Sequence, residues 1–117
     1  MDPTQREQVI AEYYAAVDDR EPERFRDIFT RDATHFRPGQ GTLEGIDAII
    51  DFFTEDWRSS ETSHDREYVL HDADRSVARL HVSGIFDGEP FEGRFLAEFE
   101  FEDDAIATYH LYRGYER

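Results

Sequence analysis

Residues 32–53 read DATHFRPGQGTLEGIDAIIDFF. Residues 33–38 predict a short strand, and Pro38-Gly39-Gln40-Gly41 predicts a turn, because Pro and Gly supply the backbone angles that turns require. The apolar residues that follow recur at helical spacing and form one stripe: Ile46, Ile49, Ile50, Phe53 and Trp57. The stretch therefore joins a strand to an amphipathic helix through a glycine-rich turn.

Two further helices are predicted upstream of this strand. Thr4-Gln5-Arg6-Glu7 fits a capping box that opens the first helix, which should end near Asp18. Its apolar residues also recur at helical spacing: Val9, Ile10, Tyr13, Tyr14 and Val17. Pro22 suits the first turn of a second helix. The predicted core face of that helix consists of Phe25, Ile28 and Phe29.

Downstream of the third helix, the apolar period changes to two, which is typical of strands. Four strands are predicted, at residues 62–71, 76–86, 90–101 and 106–113. Asp87-Gly88 indicates a hairpin turn, since both positions tolerate positive φ. Helices followed by a meander indicate an α+β fold, with three N-terminal helices packed on a curved, mainly antiparallel β-sheet. One domain is expected to span residues 1–117.

The composition sets limits on the class of protein. The 117 residues are 38% hydrophobic, with ten Phe and six Tyr, which is enough to fill the core of one domain with large rings. The chain has no cysteine, which excludes disulfides and cysteine-ligated metals. No apolar run reaches the roughly 18 residues of a membrane span, and the polar start of the chain does not resemble a signal peptide. We expect a cytoplasmic protein.

The charge of the chain narrows its expected partners. Thirteen basic residues, all of them Arg, stand against 28 acidic ones, for a net charge of −15. A field this negative repels nucleic acids and anionic membranes, so neither is an expected partner. Acidic chains without Lys are similar to proteins of salt-adapted organisms. We therefore expect molar salt to stabilise the fold by screening its self-repulsion.

Four short motifs occur in order along the chain: Tyr-x-x-x-Val at 13–17, D-A-T-x-x-x-P at 32–38, G-x-x-x-I-x-x-F at 45–52 and D-G-x-P at 87–90. Together with the order of elements, they resemble the NTF2-like superfamily over residues 8–115. This superfamily includes ketosteroid isomerase-like proteins and SnoaL-like proteins similar to polyketide cyclases. The resemblance implies a cone, in which the curved sheet wraps the first and third helices and leaves an apolar pocket for a ligand.

The catalytic residues of ketosteroid isomerase-like members are only partly present in this sequence. In ketosteroid isomerase-like members, a Tyr on the first helix and an acid on a central strand donate hydrogen bonds to an oxyanion, while a carboxylate on the first strand moves the proton. Tyr13 matches the tyrosine, but Arg37 and Ala97 stand at the two acid positions. Phe29 and Phe53 replace two further tyrosines. A guanidinium stays protonated and cannot act as a base, which argues against steroid isomerisation.

The residues themselves suggest other chemistry. His35 and Arg37 alternate onto one face of the first strand, which we predict to be the inner face. Tyr109, Leu111 and Arg113 would share the inner face of the last strand. Guanidinium groups match carboxylates and phosphates, so Arg37 and Arg113 would stabilise negative charge. His35 would act as the general acid/base, because its ordinary pKa lies near neutrality.

The two arginines also have a structural interpretation. Arg37 would pair with Glu44 or Asp32, and Arg113 with an acid near the rim of the pocket. A hydrolase of the limonene-epoxide type would need an Asp-Arg-Asp set facing the pocket. No inward-facing pair of Asp residues is predicted beside either arginine.

The start of the second predicted strand holds another candidate site. His64 and Asp65 lie close to Trp57, and SnoaL-like cyclases resemble this in using a His and an Asp in the pocket. The alternative is a solvated strand end. His64 and His71 are seven residues apart and should face opposite sides of a strand. No metal-binding spacing of histidines occurs, and no metal or cofactor is predicted.

The outer face of the sheet is predicted to form a homodimer interface, as it does in many relatives. It mixes apolar, aromatic and basic residues: Arg79, His81, Arg94, Leu96, Thr108, His110 and Tyr112. Basic groups gathered on an acidic protein would pair with acids across a twofold axis.

These observations predict a protein that binds a small, mostly apolar molecule, anionic or carbonyl-bearing, and that isomerises, cyclises or hydrates it without a cofactor. Trp57, Phe53 and Phe95 would form the walls of the pocket, with Ala97 on the same inner face and Tyr109 and His64 contacting the ligand. The alternative is a non-catalytic ligand-binding or protein-interaction domain whose own aromatic side chains fill the pocket. A cavity of roughly 300 Å3 or more would favour the first interpretation.

Overall fold

A computed structural model describes residues 1–113 of the chain. The elements, in order, are helix α1 (Pro3–Asp18), a 3-10 helix (Pro22–Asp27), strands β1 (Phe29–Arg37) and β2 (Gly41–Glu44), helix α2 (Ile46–Asp51) continued by a π-helix (Phe52–Asp56), and strands β3 (Ser59–His71), β4 (Arg75–Phe86), β5 (Glu89–Glu102) and β6 (Ala105–Arg113).

The six strands form one sheet in the order β2-β1-β6-β5-β4-β3. Strands β3 to β6 form the predicted antiparallel meander, and β1 joins β6 in parallel. The predicted α+β class and the mainly antiparallel sheet are confirmed. The parallel contact brings β1 beside the last strand, so that His35 lies opposite Tyr109.

The prediction of three N-terminal helices is wrong in detail. The second is a six-residue 3-10 helix, because its predicted core residue Phe29 instead begins β1. The third follows β1 and β2 and consists of six α-helical residues and a π-helix. Strand β2 is not predicted, because its first residue, Gly41, belongs to the predicted turn. Its four residues, GTLE, are too few to show an alternating pattern.

The first helix is capped two residues earlier than predicted. Asp2, not Thr4, is the N-cap, and its carboxylate accepts a hydrogen bond of 2.8 Å from the backbone N–H of Gln5. The Gln5 side chain accepts in return from the Asp2 backbone at 3.0 Å. Pro3 stands at the first helical position, where its fixed φ suits the helix and its missing N–H costs nothing.

The core lies between the helices and the inner face of the sheet, and aromatic rings dominate it. Tyr13, Phe25, Phe99 and Tyr109 are almost completely buried. Neighbouring rings meet edge to face or tilted, the arrangements that their quadrupoles favour. No helix of residues 1–113 is long and apolar enough to cross a membrane.

Strand β3 contains an irregularity that corrects the prediction for its histidines. The register shifts between Arg66 and Tyr68, so that one extra residue, Glu67, is accommodated opposite β4. The extra residue reverses the alternation of the strand. His64 and His71 consequently both contact α1, through Asp18 and Glu7, instead of facing opposite sides.

Candidate functional site

A cavity of about 460 Å3 lies between α1, the π-helix and the inner face of the sheet. Its volume falls in the range typical of small-molecule sites. Most of the predicted site residues line it: Tyr13, Arg37, Phe53, Trp57, His64, Phe95, Tyr109 and Arg113. Further lining residues that the predictions did not place in the pocket include Tyr14, Phe52, Thr62, Leu80 and Phe91.

Two predicted site residues do not belong to the cavity lining. Ala97 is fully buried on β5, where it packs between Ala78 and Leu111 of the neighbouring strands. His35 is also fully buried, and its ring stacks on that of Tyr109 with 4.2 Å between centroids. Tyr109 therefore separates His35 from the cavity.

Three tyrosines of the cavity lining, Tyr13, Tyr14 and Tyr109, have hydroxyls that lie against other buried polar groups. The hydroxyl oxygens of Tyr14 and Tyr109 lie 3.3 Å apart, and that of Tyr13 lies 2.9 Å from Nε2 of His35. Burial raises the pKa of all three phenols, so they are neutral O–H donors. The positive charge of Arg37, followed by hydrogen bonding with the neighbouring phenols, acts to lower the pKa of Tyr109 but does not outweigh burial.

The surroundings of His35 keep its ring neutral. Burial, followed by the positive charge of Arg37, lowers the pKa of His35 well below its ordinary value. Its Nδ1 is buried without a hydrogen-bond partner among residues 1–113. An orphaned N–H is rarer than an orphaned acceptor, which favours the tautomer with the proton on Nε2. In that tautomer His35 donates to Tyr13, and the Tyr13 O–H remains available for Tyr109.

Arg37 lies at the cavity without the predicted acidic partner. Its guanidinium carbon is 5.3 Å from the ring centre of Phe52 and 5.2 Å from that of Phe53, a cation–π arrangement. It forms no ion pair with a carboxylate of residues 1–113. The expected pairing with Glu44 is absent because Glu44 lies opposite Thr34, at the other end of the β1–β2 hairpin.

Arg113 is the second cationic group of the cavity wall. It lies on β6 opposite Phe95, another lining residue. Within the described part of the chain, it forms no ion pair with the acids expected at the rim. Asp56 lines the cavity as well, but it makes no ion pair with either arginine, so the Asp-Arg-Asp arrangement of the epoxide-hydrolase interpretation is not assembled in residues 1–113.

The π-helix brings three aromatic side chains to the cavity. The backbone N–H of Trp57 donates to the carbonyl of Phe52 at 2.9 Å, five residues earlier. Such turns widen a helix locally and are frequent at functional sites. Phe52, Phe53 and Trp57 all line the cavity, and Phe53 and Trp57 meet at 5.0 Å between ring centres. They form its apolar side.

His64 is part of a hydrogen-bonded cluster and is not a solvated strand end, the alternative to a candidate site. Its Nδ1 lies 2.6 Å from Oδ1 of Asp18, and its backbone N–H donates to Oδ2 of Asp18 at 3.0 Å. The Thr62 hydroxyl donates to Oδ1 of Asp18 at 2.8 Å. Burial opposes ionisation of Asp18, but the hydrogen bonds from His64 and Thr62 outweigh it and lower the pKa of the carboxyl.

The sequence did not identify Asp18 as the acid of this cluster. Asp65, the predicted partner, lies opposite His81 in the β3–β4 register, on the other face of the sheet. Asp18 is the last residue of α1, and the last turn of that helix contains no basic residue. A negative charge at a helix C-terminus is unfavourable. A carboxylate at this position therefore indicates that other groups of the protein stabilise its charge.

On the outer face of the sheet, three basic groups form ion pairs within the chain. Glu67, the extra residue of β3, accepts hydrogen bonds from Arg79 and Arg94. Those from Arg94 and then Arg79 lower the pKa of Glu67 to about 2. His81 pairs with Glu92 at 2.9 Å. Arg79, Arg94 and His81 therefore each have a carboxylate partner on the same chain.

Residues 1–113 hold no group of three or more His, Asp or Glu arranged to bind a metal ion. The sequence of residues 10–109 matches the profile of the SnoaL-like domain family.

The chain belongs to this family.

Solved structures agree with the family. An NTF2-like protein from Anabaena variabilis ATCC 29413 superposes with a TM-score of 0.83 at 23% identity, covering 97% of this chain and 89% of the other. An LEH-like epoxide hydrolase from M. tuberculosis gives 0.82 at 12% identity, with 95% and 84% covered. A protein from Catenulispora acidiphila DSM 44928 with a ketosteroid isomerase-like fold, solved with trimethylamine, gives 0.82 at 16%, with 91% and 85% covered.

These similarities confirm the resemblance to the NTF2-like superfamily. At these identities the similarities establish only the fold of this SnoaL-like protein. Its chemistry has to be inferred from its own residues. No curated protein matches the chain significantly.

Proposed function

We propose that this SnoaL-like protein binds a small, mostly apolar molecule that carries an anionic or carbonyl group, in the cavity between α1 and the sheet. One observation carries the proposal: Arg37 and Arg113 line the cavity without a carboxylate partner among residues 1–113. Six other arginines pair with carboxylates: Arg24, Arg26, Arg58, Arg75, Arg79 and Arg94. Four more form no such ion pair among residues 1–113, but they do not line the cavity: Arg6, Arg20, Arg31 and Arg66. A ligand anion would supply the missing charge.

The rest of the wall suits the same ligand. Phe53, Trp57 and Phe95 offer apolar surface, while the hydroxyl of Tyr109, 3.3 Å from that of Tyr14, can donate a hydrogen bond to the ligand. Donors and positive charge at one end of an apolar cavity stabilise negative charge that develops on a carbonyl oxygen. This arrangement supports a cofactor-independent isomerase, cyclase or hydratase. The volume of the cavity speaks against a pocket filled by its own side chains.

In this proposal His35 acts through Tyr13 and does not contact the ligand. It was predicted as the general acid/base, but its ring has no direct access to the cavity. A neutral His35 that donates to Tyr13 orients the phenol network toward Tyr109. Tyr109 then donates to the oxygen of the ligand, with Arg37 and Arg113 beside it.

A thermal-shift measurement with 2-naphthoate, an apolar anion, tests the proposed site. We expect 2-naphthoate to stabilise the wild-type protein. Arg37→Gln and Arg113→Gln should each lower the apparent affinity for 2-naphthoate by about tenfold, since a charge-assisted hydrogen bond contributes about 1.5–3 kcal/mol. Arg31→Gln removes the same charge from an exposed position outside the cavity and is the control. Equal shifts in all four proteins would contradict the proposal.

We also propose a homodimer through the outer face of the sheet. Leu96 and Tyr112 lie opposite each other on β5 and β6, and 37% and 44% of their surface is exposed. The ring of His110 stacks on Tyr112 at 4.3 Å and extends the patch. Light scattering should give twice the chain mass of 13.8 kDa for the wild type and the single mass for Leu96→Asp. A monomeric wild type would rule out this interface.

A further inference from the structure

We infer that Trp57 limits the length of the ligand, because its indole ring separates the cavity from a second, smaller cavity. The inference rests on the proposed function, since it concerns the ligand of the same site. It names the ligand class as a compact apolar carboxylate whose tail ends at the indole ring. A ligand with a longer tail would fit only if that ring were removed.

The second cavity lies between the end of α1, the 3-10 helix and the π-helix, and its volume is about 100 Å3. Its lining is mainly apolar and includes Ala16, Val17 and Phe25. Val17, Phe53 and Trp57 line both this cavity and the larger one of about 460 Å3. These three side chains therefore form the wall between the two cavities.

Trp57 is the member of this wall that can be changed without opening the core. Only 4% of Val17 and 5% of Phe53 is exposed. The ring of Phe53 also meets Phe25 at 5.3 Å and Phe52 at 5.1 Å, both edge to face. Trp57, in contrast, is half-buried and packs against the core from its margin. Its side chain therefore decides whether the two cavities are connected.

Several contacts hold Trp57 in this position. Its backbone N–H donates to the carbonyl of Phe52 at 2.9 Å, and its ring centre lies 5.0 Å from that of Phe53. The guanidinium carbon of Arg20 lies 5.2 Å from the centre of the indole ring, a cation–π arrangement. Arg20 itself donates to the carbonyl of Ser59 at 2.7 Å. The wall is thus fixed, as a limit on ligand length requires.

The arginine that would bind the carboxylate lies one aromatic ring away from Trp57. The guanidinium carbon of Arg37 is 5.2 Å from the ring centre of Phe53, which in turn is 5.0 Å from that of Trp57. A ligand that binds Arg37 and follows the ring of Phe53 would reach the indole after a short distance. The geometry therefore favours a compact body over a long chain.

The polar groups that line the second cavity are already engaged. The hydroxyl of Thr54 donates to the carbonyl of Ile50 at 2.8 Å, and Arg20 contacts Ser59 and Trp57. The second cavity would therefore accept an apolar chain once the indole is removed. A group the size of a water molecule takes up about 30 Å3, so there is room for about three carbons.

A series of 4-alkylbenzoates, from methyl to octyl, measures the length limit, the chain length beyond which affinity no longer rises. In calorimetric titrations of the wild type, each added carbon should tighten binding by about fourfold until the chain reaches Trp57, and not beyond. Trp57→Ala should extend this rise by at least about three carbons. Trp57→Phe, with a smaller ring, should extend it by fewer. An equal length limit in the wild type and Trp57→Ala would overturn the inference.

Ala16→Leu tests the second cavity separately, because Ala16 lines that cavity and not the larger one. Alone, this substitution should leave the length limit unchanged. Combined with Trp57→Ala, it should shorten the extended chain by about three carbons, since leucine fills the added space. A double variant that keeps the full extension would show that the volume of the indole alone explains it. That result would overturn the role of the second cavity.

Fluorescence gives a second measurement that requires no variant. Trp57 is the single tryptophan of the chain, so the tryptophan emission of the wild type reports on the wall between the cavities. The emission should change little with benzoate and most with the 4-alkylbenzoate at the length limit. Emission that no bound member of the series alters would also overturn the inference.

The two proposals fail separately. Arg37→Gln should weaken all members of the series by a similar factor without moving the length limit. Binding that depends on Arg37, with a length limit that Trp57→Ala leaves unchanged, would contradict the role of Trp57 alone. A length limit that moves in Trp57→Ala, with binding that Arg37→Gln does not weaken, would contradict the proposed anion site alone. If no member of the series binds, both proposals are wrong.

Discussion

The Tyr13 hydroxyl oxygen lies 2.9 Å from Nε2 of His35, where 1% of Tyr13 and none of His35 is exposed. Neither group has water to replace this hydrogen bond, so each depends on the other. The pair connects β1 to α1 directly behind the cavity wall. It therefore links the stability of the fold to the orientation of the phenols that face the ligand.

Replacing His35 should destabilise the protein. His35→Ala leaves a cavity and removes the partner of a buried phenol, which together cost about 3 kcal/mol in the free energy of unfolding. Denaturation in urea measures this difference. His110→Ala, on the outer face, is the control and should cost about 1 kcal/mol or less. Equal effects of the two substitutions would contradict the structural role of His35.

The stability of the protein should fall below neutral pH because of the same residue. The pKa of His35 is lowered in the folded protein, through burial and then Arg37, and it is about 6.5 in the unfolded chain. Below pH about 6.5 the unfolded chain binds a proton that the folded protein does not, so the free energy of unfolding decreases as the pH falls. The stabilising contribution of a neutral His35 is complete above that pH.

His35→Leu isolates this effect, because the other histidines titrate equally in both proteins. The groups that face His35 are Tyr13 and Tyr109, both neutral, and Arg37, whose positive charge disfavours protonation further. Urea unfolding between pH about 5 and about 7 should show a steeper decline for the wild type than for the variant. Parallel curves would show that His35 does not carry the pH dependence.

Arg6 should contribute strongly to stability from outside the cavity. Only 6% of it is exposed, and its guanidinium donates to backbone carbonyls of Asp72, Ala73 and Arg75 in the β3–β4 turn. Arg6→Ala leaves these acceptors without donors and should cost about 3 kcal/mol. The exposed Arg31→Ala should cost less than about 0.5 kcal/mol. Thermal unfolding of both variants compares the two positions.

Salt should stabilise the protein. Its net charge of −15 creates self-repulsion that added ions screen. Raising KCl from about 0.1 M to about 2 M should raise Tm, even though ion pairs on the outer face weaken, because exposed pairs contribute little. An unchanged or lower Tm would contradict the expectation of a salt-adapted surface.

Local patterns in the sequence were sufficient for the types of most elements. The alternation of β5 predicts that Ala97 and Phe99 face inward, and both are buried. The alternating pattern gives the wrong face where a single extra residue is inserted into a strand. Glu67 shifts the alternation of β3, and no local signal distinguishes that bulge from a regular strand. The predicted orientation of His71 is therefore wrong.

The candidate site was predictable wherever a side chain depends on strand alternation alone. Arg37, Tyr109 and Arg113 lie at the cavity as expected. The cluster of Asp18 and His64 was not predicted, because its two residues are 46 positions apart and meet only when α1 packs on β3. His35 faces inward as expected, but the sequence does not reveal that Tyr109 lies in front of it.

The central claim is that Arg37 and Arg113 bind the negatively charged group of an apolar ligand in the cavity. Titration calorimetry of the wild-type protein with 2-naphthoate and with 2-naphthamide, its uncharged analogue, tests it most directly. The account predicts that the carboxylate binds at least about tenfold more tightly than the amide, because only the carboxylate supplies the charge that Arg37 and Arg113 lack. Equal affinities, or no binding of either compound, would contradict it.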